Sequence, residues 1–380
     1  MSENILIQLE EEENLRENLN KRTDSEAARM KRFLDMPDLS RLPGNPLNEV
    51  VQRASSVKSL EHFDVIKIPE IVPTQILFDL FNMPPEHPAR SKSDTYYVDP
   101  NHVLRTHDTV FWYYYLNHPD IKKRIENKET LGALCYGKVY RKDEIDRRHM
   151  NVFHQFGGLY LAPDDKQTIT PDDLKNTLSE IALAVFGDDV KFRFYDHNFP
   201  YTDPSFEMEA EINGQWIEML GCGMARKSVL SAMGLEGYHG WAFGFGLERL
   251  AIASMSLPDI RLLWSEDERV KKQLKLGTQY KEVSKFPPIV RDISFIVPTS
   301  FVPNDYFDLI RDIGGELVEE VALIDKYENE SKFGKDKLSY TFRTTYRSLE
   351  RTLTSEEVNA IHKKIEDKTV SDFNAVIRVA

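Results

Sequence analysis

Cysteine is nearly missing from this chain: Cys135 and Cys222 are the only two in 380 residues. They are too far apart for a zinc motif, and two build no disulfide framework, so a reducing compartment is favoured. Long apolar runs are lacking as well. None approaches the ~18 residues of a membrane span, so no membrane role is expected. Positive charge is in deficit, with 49 Lys and Arg against 62 Asp and Glu and a formal net charge of −13. A chain-wide cationic shell for nucleic acid is thereby excluded, and any RNA contact must use local basic patches. There is no G-x-x-x-x-G-K-S/T loop and no strand-borne G-x-G-x-x-G followed by an acid; Gly244-Phe245-Gly246 is too short to count. No Ser-His-Asp or Cys-His pattern points to a side-chain nucleophile. The acid-rich stretch from Met1 to Asn14 is unlike an Arg-rich, acid-poor presequence, so no import signal and a cytoplasmic location are expected.

What is present is an ordinary globular balance, 41% hydrophobic and 29% charged, at a length that suggests two domains and a tail. Residues 1–43 stand apart as an acidic extension, helical or partly disordered. Glu10 to Glu13 form a block, and Leu15 with Leu19 and Met30 with Phe33 and Leu34 line weak helix faces. From residue 44 the pattern changes. Asp64 to Ile68 reads as a strand stopped by Pro69, and Tyr96 to Val98 as a short strand. Leu131 to Arg141 and Val152 to Leu161 read as a hairpin with a long charged loop. Leu174 to Phe186 is helical. Strands follow at Val190 to Phe194, Phe206 to Ile212 and Gln215 to Leu220, then a helix over Gly246 to Met255. This run of mainly antiparallel strands with helices is an α+β domain covering 44–284. A second unit, 285–380, opens at the stiff Lys285-Phe286-Pro287-Pro288 junction. Its βαββαβ order is that of a ferredoxin-like sandwich, with Asn304 capping the first helix, Gly314-Gly315 stopping it, and Thr354 with Glu357 forming a capping box on the second. Leu338, Tyr340, Phe342, Thr344 and Tyr346 alternate with polar residues. Arg343 and Arg347 then lie on the other face, which is either solvated decoration or an RNA surface.

Three elements can carry chemistry. Arg141, at a strand end before a loop holding His149, can grip a phosphate at two points. On the return strand Phe153 can stack on a base, and Gln155 can bond a substrate. The plainer alternative is a merely charged loop. Arg249, in the first turn of a helix after the Gly-rich Gly240 to Gly246 stretch, can reach back over the sheet, or be a surface arginine on a core helix. Glu218, ahead of Gly221-Cys222-Gly223, can hold a magnesium that bridges phosphates. Together these suit a nucleotide with a folded triphosphate.

The chain resembles the class II aminoacyl-tRNA synthetases, most closely the single-chain, mitochondrial-type phenylalanyl-tRNA synthetases. The resemblance rests on Gly44-Asn45-Pro46-Leu47-Asn48, His87-Pro88-Ala89-Arg90, Leu104-Arg105-Thr106-His107 and the hairpin from Tyr140 to Gln155. It continues through Phe199-Pro200-Tyr201-Thr202-Asp203-Pro204-Ser205-Phe206-Glu207, Leu220-Gly221-Cys222-Gly223, Trp241 to Arg249 and Pro258-Asp259-Ile260-Arg261. The region after Phe286 resembles that family's ferredoxin-fold anticodon-binding domain. The resemblance implies a class II antiparallel-sheet catalytic domain that uses ATP with Mg²⁺ to activate phenylalanine and charge tRNA(Phe). It keeps the mitochondrial matrix as an alternative compartment. It also implies a monomer, with a homodimer through the helix–strand region ending at Pro69 as the alternative.

Carried over by position, Arg141 meets the α-phosphate and its developing charge, His149 the γ-phosphate, Phe153 the adenine, Asp143 the adenine's surroundings and Arg249 the far end of the triphosphate. Glu218 is the candidate Mg²⁺ ligand. Phe199 and Tyr201 pack on the substrate ring, Ala242 sets the pocket depth, and His107, Thr109 and Gln155 approach the polar end. Arg343, Arg347 and Arg351 are the candidate tRNA contacts. Two positions depart from the family pattern. The glutamate that ordinarily holds the substrate ammonium, two residues after Gln155, is Gly157 here, and the second pocket phenylalanine is Tyr201. Asp108 is the acid nominated to take over. No segment resembles the editing module, so rejection of tyrosine falls to the pocket. Two other classes stay open: a paralogue activating another amino acid or using a non-tRNA acceptor, and a non-catalytic tRNA-binding regulator.

Overall fold

The computed structural model describes residues 3–142, 146–212 and 214–378. Two compact units divide the chain, Met1–Tyr280 and Lys281–Ala380.

The first unit is built on an eight-stranded sheet. In chain order its strands are β1 (Asn4–Leu6), β2 (Asp64–Lys67), β5 (Leu131–Tyr140), β6 (Val152–Pro163), β7 (Lys191–His197), β8 (Thr202–Ile212), β9 (Gln215–Ala225) and β10 (Tyr238–Gly246), while β3 (Ile71–Pro73) pairs with β4 (His102–Leu104) as a separate ribbon. The sheet order is β1-β2-β5-β6-β10-β9-β8-β7. Among the described residues only β1–β2 and β2–β5 run parallel in this sheet; its other pairs are antiparallel. The strands sort their side chains by parity. On one face Phe156 stacks on Tyr136, Phe243 and Phe245, and Lys175 of the Pro171–Phe186 helix lies over Phe206. The Pro46–Ser55 and Leu247–Met255 helices share that side. The opposite face carries Phe153, Gln155 and Gly157, and it is there that small residues gather.

The segment set apart as residues 1–43 is helical as expected, yet it belongs inside this unit. β1 joins the sheet, and Glu3 N donates to Asp64 Oδ1 at 2.9 Å. The helices Glu10–Lys21 and Ser25–Asp35 bury Leu19, Ala27, Met30 and Phe33 against Tyr96, Leu104, Tyr140 and Val152. The acidic block forms the first turn of a helix, where the macrodipole favours it. Glu12 accepts from Arg16 and from Glu70 N, tying the helix to the chain beside β3. The expected Tyr96–Val98 strand is a single bridge, Tyr97 to Val103. Asp99 Oδ1 accepts from Asn101 N and His102 N and turns the chain at once, so the strand is β4. The helices Phe111–Leu116 and Pro119–Glu126 were not anticipated. The first is nearly all aromatic and buried, which erases the periodicity that announces a helix.

The second unit follows its expected order: β11 (Ile289–Pro298), the helix Pro303–Gly314, β12 (Val318–Glu328), β13 (Lys337–Tyr346), the helix Ser355–Phe373 and β14 (Val376–Ile377), in sheet order β12-β13-β11-β14. Phe295, Tyr306, Phe342 and Tyr346 fill its core with Ile310, Val358 and Ile365. Thr354 and Glu357 form both bonds of the capping box, and the first helix ends at Gly314. Asn304, expected as a cap, is the second residue of its helix; Val302 holds the cap position and Pro303 opens the first turn, where a missing N–H costs nothing.

Candidate active site

The register of the central strands clears a lane across the sheet. Gly157 on β6 lies opposite Cys135 on β5 and Gly244 on β10, and Gly244 lies opposite Gly221 on β9. In the next row toward the β6 C-terminus, Leu159 faces Ala133 and Ala242, and Ala242 faces Gly223. Backbone therefore forms the floor, and side chains from other segments lean over it. The Phe199 ring covers Gly221, with Cζ 2.6 Å from where a Cβ would stand. Phe199 N donates to Ser205 Oγ, which fixes the loop. Tyr201 stacks on Phe199 at 5.9 Å and meets Phe81 and Trp112 edge-on. Its hydroxyl bonds the Thr109 side chain, while burial pushes its pKa up to about 12. Ala242 is buried in the same cluster. Phe199, Tyr201, Thr109 and Ala242, nominated separately, thus come together with Phe81 and Trp112, which sequence reasoning missed.

Beside this aromatic pocket runs a line of buried polar atoms with no partner among the described residues: Thr106 Oγ1, both ring nitrogens of His107, and Asp108 Oδ2. Buried polar groups are normally satisfied, so such a cluster is a candidate place for a ligand. Burial, reinforced by Arg141, His87 and Arg105, lowers the His107 pKa to about 3, leaving a neutral ring. Burial drives the Asp108 carboxyl up to about 7, against the pull of Arg105 and Arg141. Gln155 Oε1 accepts from Asp108 N at 2.9 Å.

Arg141 follows β5 directly. Its Nε donates to Thr106 O at 3.0 Å and its guanidinium lies over the Phe153 ring, 5.2 Å from the centroid. The charge of Arg141 is felt by His107, Asp108 and Tyr201. The Arg141 guanidinium and the aromatic pocket are therefore adjacent. His149 accompanies Asp146 at 2.9 Å in the exposed loop. Asp143 lies outside the described residues.

Arg249 reaches back to β9, donating to Glu218 O at 3.2 Å and Glu218 Oε1 at 2.6 Å. Glu218 shares the face of Gly221 because of a bulge: Glu207 faces Gly221, whereas Glu209 faces Glu218. Without the extra residue its side chain would turn to the helical side. Glu218 and Glu209 are hard oxygen donors on one surface, and no group of three or more His, Cys, Asp or Glu forms a closed metal site among the described residues. That set suits Mg²⁺, which takes most of its ligands from phosphate and water.

His154 is a further residue the sequence did not single out. It is fully buried on the helical side; Leu39 N donates to its Nε2 at 3.0 Å, so the proton resides on Nδ1, which donates to Glu248 Oε1 at 2.7 Å. Glu248 also accepts from His154 N. This pins the first turn of the Leu247–Met255 helix to β6 and lets its neighbour Arg249 project the other way.

In the second unit Arg343 forms a two-point pair with Asp292, Arg351 one with Glu357, and Arg347 bonds Glu319 and Phe286 O. They are not gathered into one uncompensated patch.

The family model for tRNA synthetases class II core domain (F) matches residues 34–274, and that for the ferredoxin-fold anticodon binding domain matches residues 284–378. The chain is similar to a chloroplastic/mitochondrial phenylalanine–tRNA ligase of Arabidopsis thaliana, at 41% identity over 256 residues, 64% of this chain and 59% of that protein. A mitochondrial phenylalanine–tRNA ligase of Mus musculus is 38% identical over 274 residues, 62% of this chain and 60% of that protein. One of Saccharomyces cerevisiae is 32% identical over 327 residues, 65% of this chain and 69% of that protein. The chain spans about three fifths of the length of the first two. With a core match that takes in the bare lane, its overhanging aromatics and both arginines, the chain belongs to the class II tRNA synthetase core domain (F) family.

Proposed function

We propose that this chain is a phenylalanine–tRNA ligase, which joins phenylalanine to ATP as an adenylate and passes the acyl group to tRNA(Phe). The observation that carries the reading is the unpartnered polar run from Thr106 to Asp108, lying between an aromatic pocket and Arg141. A zwitterion with an aromatic side chain matches that sequence of surfaces. The ring packs against Phe199 and Tyr201 above Ala242, and the α-carboxylate lies between neutral His107 and Arg141. One carboxylate oxygen bonds the α-phosphorus of ATP as the bond to pyrophosphate breaks. A terminal ribose hydroxyl of tRNA then attacks the acyl carbon and AMP leaves. No side-chain nucleophile is required; alignment and charge stabilisation supply the acceleration. Phe153 offers the adenine a face, Arg141 takes the charge growing on the α-phosphate, and Arg249 with His149 takes the distal phosphates. Glu218 is the residue that would hold Mg²⁺, which neutralises phosphate charge when bound. The organellar names of the relatives favour the mitochondrial matrix over the cytoplasm.

The test is ATP–pyrophosphate exchange across a panel of amino acids. Phenylalanine should stimulate exchange more than any other, with tyrosine weaker by about 10²-fold or less, because one hydroxyl is a modest discriminator in an apolar pocket. Exchange driven better by another amino acid, or by none, refutes the reading.

Arg343 and Arg351 are the candidate tRNA contacts most open to solvent, and a phosphate must compete with Asp292 and Glu357 for them. Reversing both charges should raise the KM for tRNA(Phe) about tenfold at low salt and flatten its salt dependence. An unchanged KM and salt slope would remove these residues from the tRNA surface.

A further inference from the structure

Resting on the functional reading above, the geometry points to one more assignment: we infer that the Asp108 carboxylate receives the α-ammonium of the amino acid, standing in the space that a side chain at position 157 would otherwise fill.

The two positions compete for one volume. A Cβ built on Gly157 would stand 3.0 Å from Asp108 Cγ and closer still to Oδ2. The same carboxylate passes 3.5 Å from where a Cβ on Gly244 would lie, and Gly244 is the cross-strand partner of Gly157. The acid therefore rests on two paired glycines, from a segment that is not part of the sheet. Any residue larger than glycine at 157 would push it away.

The acid is also short of a cation. Asp108 is 3% exposed and its Oδ2 has no hydrogen-bond partner among the described residues. Arg105 and Arg141 act on it electrostatically, but both are tethered elsewhere, Arg105 Nε to Lys138 O and Arg141 Nε to Thr106 O. Burying an ionised carboxylate is costly unless it is paired. A compact ammonium with three donors, arriving with a substrate, satisfies it. The surroundings fix how such a cation is attached. Tyr201 and Phe199 lie on one side, ready for an aromatic ring. His107 and Arg141 lie on the other, ready for a carboxylate. Gln155 Oε1 already holds Asp108 N and fixes the segment that aims the acid. An α-amino acid carries those three groups on one carbon.

Asp108 would then be a binding residue whose loss is read in the KM for the amino acid. In Asp108→Asn the KM for phenylalanine should rise about 100-fold, with that for ATP within about threefold of native. Inhibition by 3-phenylpropanoate, which lacks the ammonium, should be the same in both proteins. Proton competition gives a second signature. The groups facing the acid are Arg105, Arg141, His107, Tyr201 and, from β5, the Cys135 thiol, which burial pushes up to about 12. His107 is neutral throughout and the others keep their charge state between pH 6 and 8, so the phenylalanine KM of the native enzyme should rise as pH falls below about 7. Asp108→Asn should lose that rise. The shared volume gives a third. Gly157→Glu alone should abolish phenylalanine-dependent exchange, whereas Asp108→Ser combined with Gly157→Glu should recover it to within about tenfold of native.

Calorimetry with 2-phenylethylamine reads the ammonium contact without the reaction. Binding to the native chain that disappears in Asp108→Asn supports the assignment. Equal binding to both, no binding to the native chain, or a phenylalanine KM unmoved by Asp108→Asn overturns it. Failure of the native enzyme to use phenylalanine in exchange would instead count against the functional reading, and the amine titration still decides the role of Asp108.

Discussion

Replacing Arg141 by glutamine should lower the turnover of phenylalanine-dependent ATP–pyrophosphate exchange by about 10²–10³-fold, the usual cost of deleting one charge-stabilising donor. Its Nε is tethered to Thr106 O and its plane is supported by Phe153, so the guanidinium is held before any substrate arrives. That preorganisation is what a glutamine cannot reproduce: the tether, the ring contact and the full charge are all lost or weakened. Because Arg141 is also felt by His107 and Asp108, the KM for phenylalanine should shift as well, though by less than turnover. Arg141 is exposed on the strand end, and thermal unfolding should stay close to native. Turnover within about threefold of native would contradict the assignment of the α-phosphate to this residue.

The second large effect is on stability. Glu248→Ala should destabilise the first unit by about 2–4 kcal/mol, because it strands two buried donors, His154 N and His154 Nδ1, at about 1–3 kcal/mol each before relaxation. Denaturant unfolding measures it. His154→Ala should cost a similar amount, and the double variant should cost well under the sum, since both substitutions break the same pair. A strictly additive cycle would mean the two groups do not act together. The Glu248→Ala protein, where folded, should also show a raised KM for ATP, as the helix start that carries Arg249 is no longer fixed to β6.

Much of the framework was legible in the residues because pattern and packing agree there. Phe206, Met208 and Ala210 alternate with Glu207, Glu209 and Glu211, and the strand follows that alternation, with its apolar set buried and its acids on the other face. The Thr354–Glu357 box and the Gly314 stop are local signals that tertiary contacts had no reason to override. Legibility fails where local pattern is silent or outvoted. The aromatic Phe111–Leu116 helix is buried on nearly every side, so no polar face marks its period. The acidic start reads as solvated charge, yet a few apolar residues per helix and the Glu12 bonds suffice to dock it.

The site divides in the same way. Arg141, Phe199, Tyr201 and Arg249 sit in recognisable motifs. Phe81 and Trp112 join the pocket from segments with no motif of their own, and their contacts are visible only in three dimensions. His154 lies within a recognised motif, but strand parity sends it to the face opposite Gln155 and Gly157. The proximity of Asp108 to Gly157 joins residues 49 positions apart through a register that no single segment encodes.

The lane of Gly157, Gly244 and Gly221 also says where selectivity can change. Its N–H and C=O groups are committed to neighbouring strands, so the lane supplies shape and almost no recognition chemistry. Under the proposed function most of the discriminating groups hang from separate segments, Asp108 before the Phe111–Leu116 helix and Phe199 and Tyr201 ahead of β8, while the sheet itself adds Ala242 and Gln155. New preferences should therefore be reached by swapping those overhangs, and a side chain added to the base at 157 has to be matched by a smaller residue at 108, whose carboxylate it would displace.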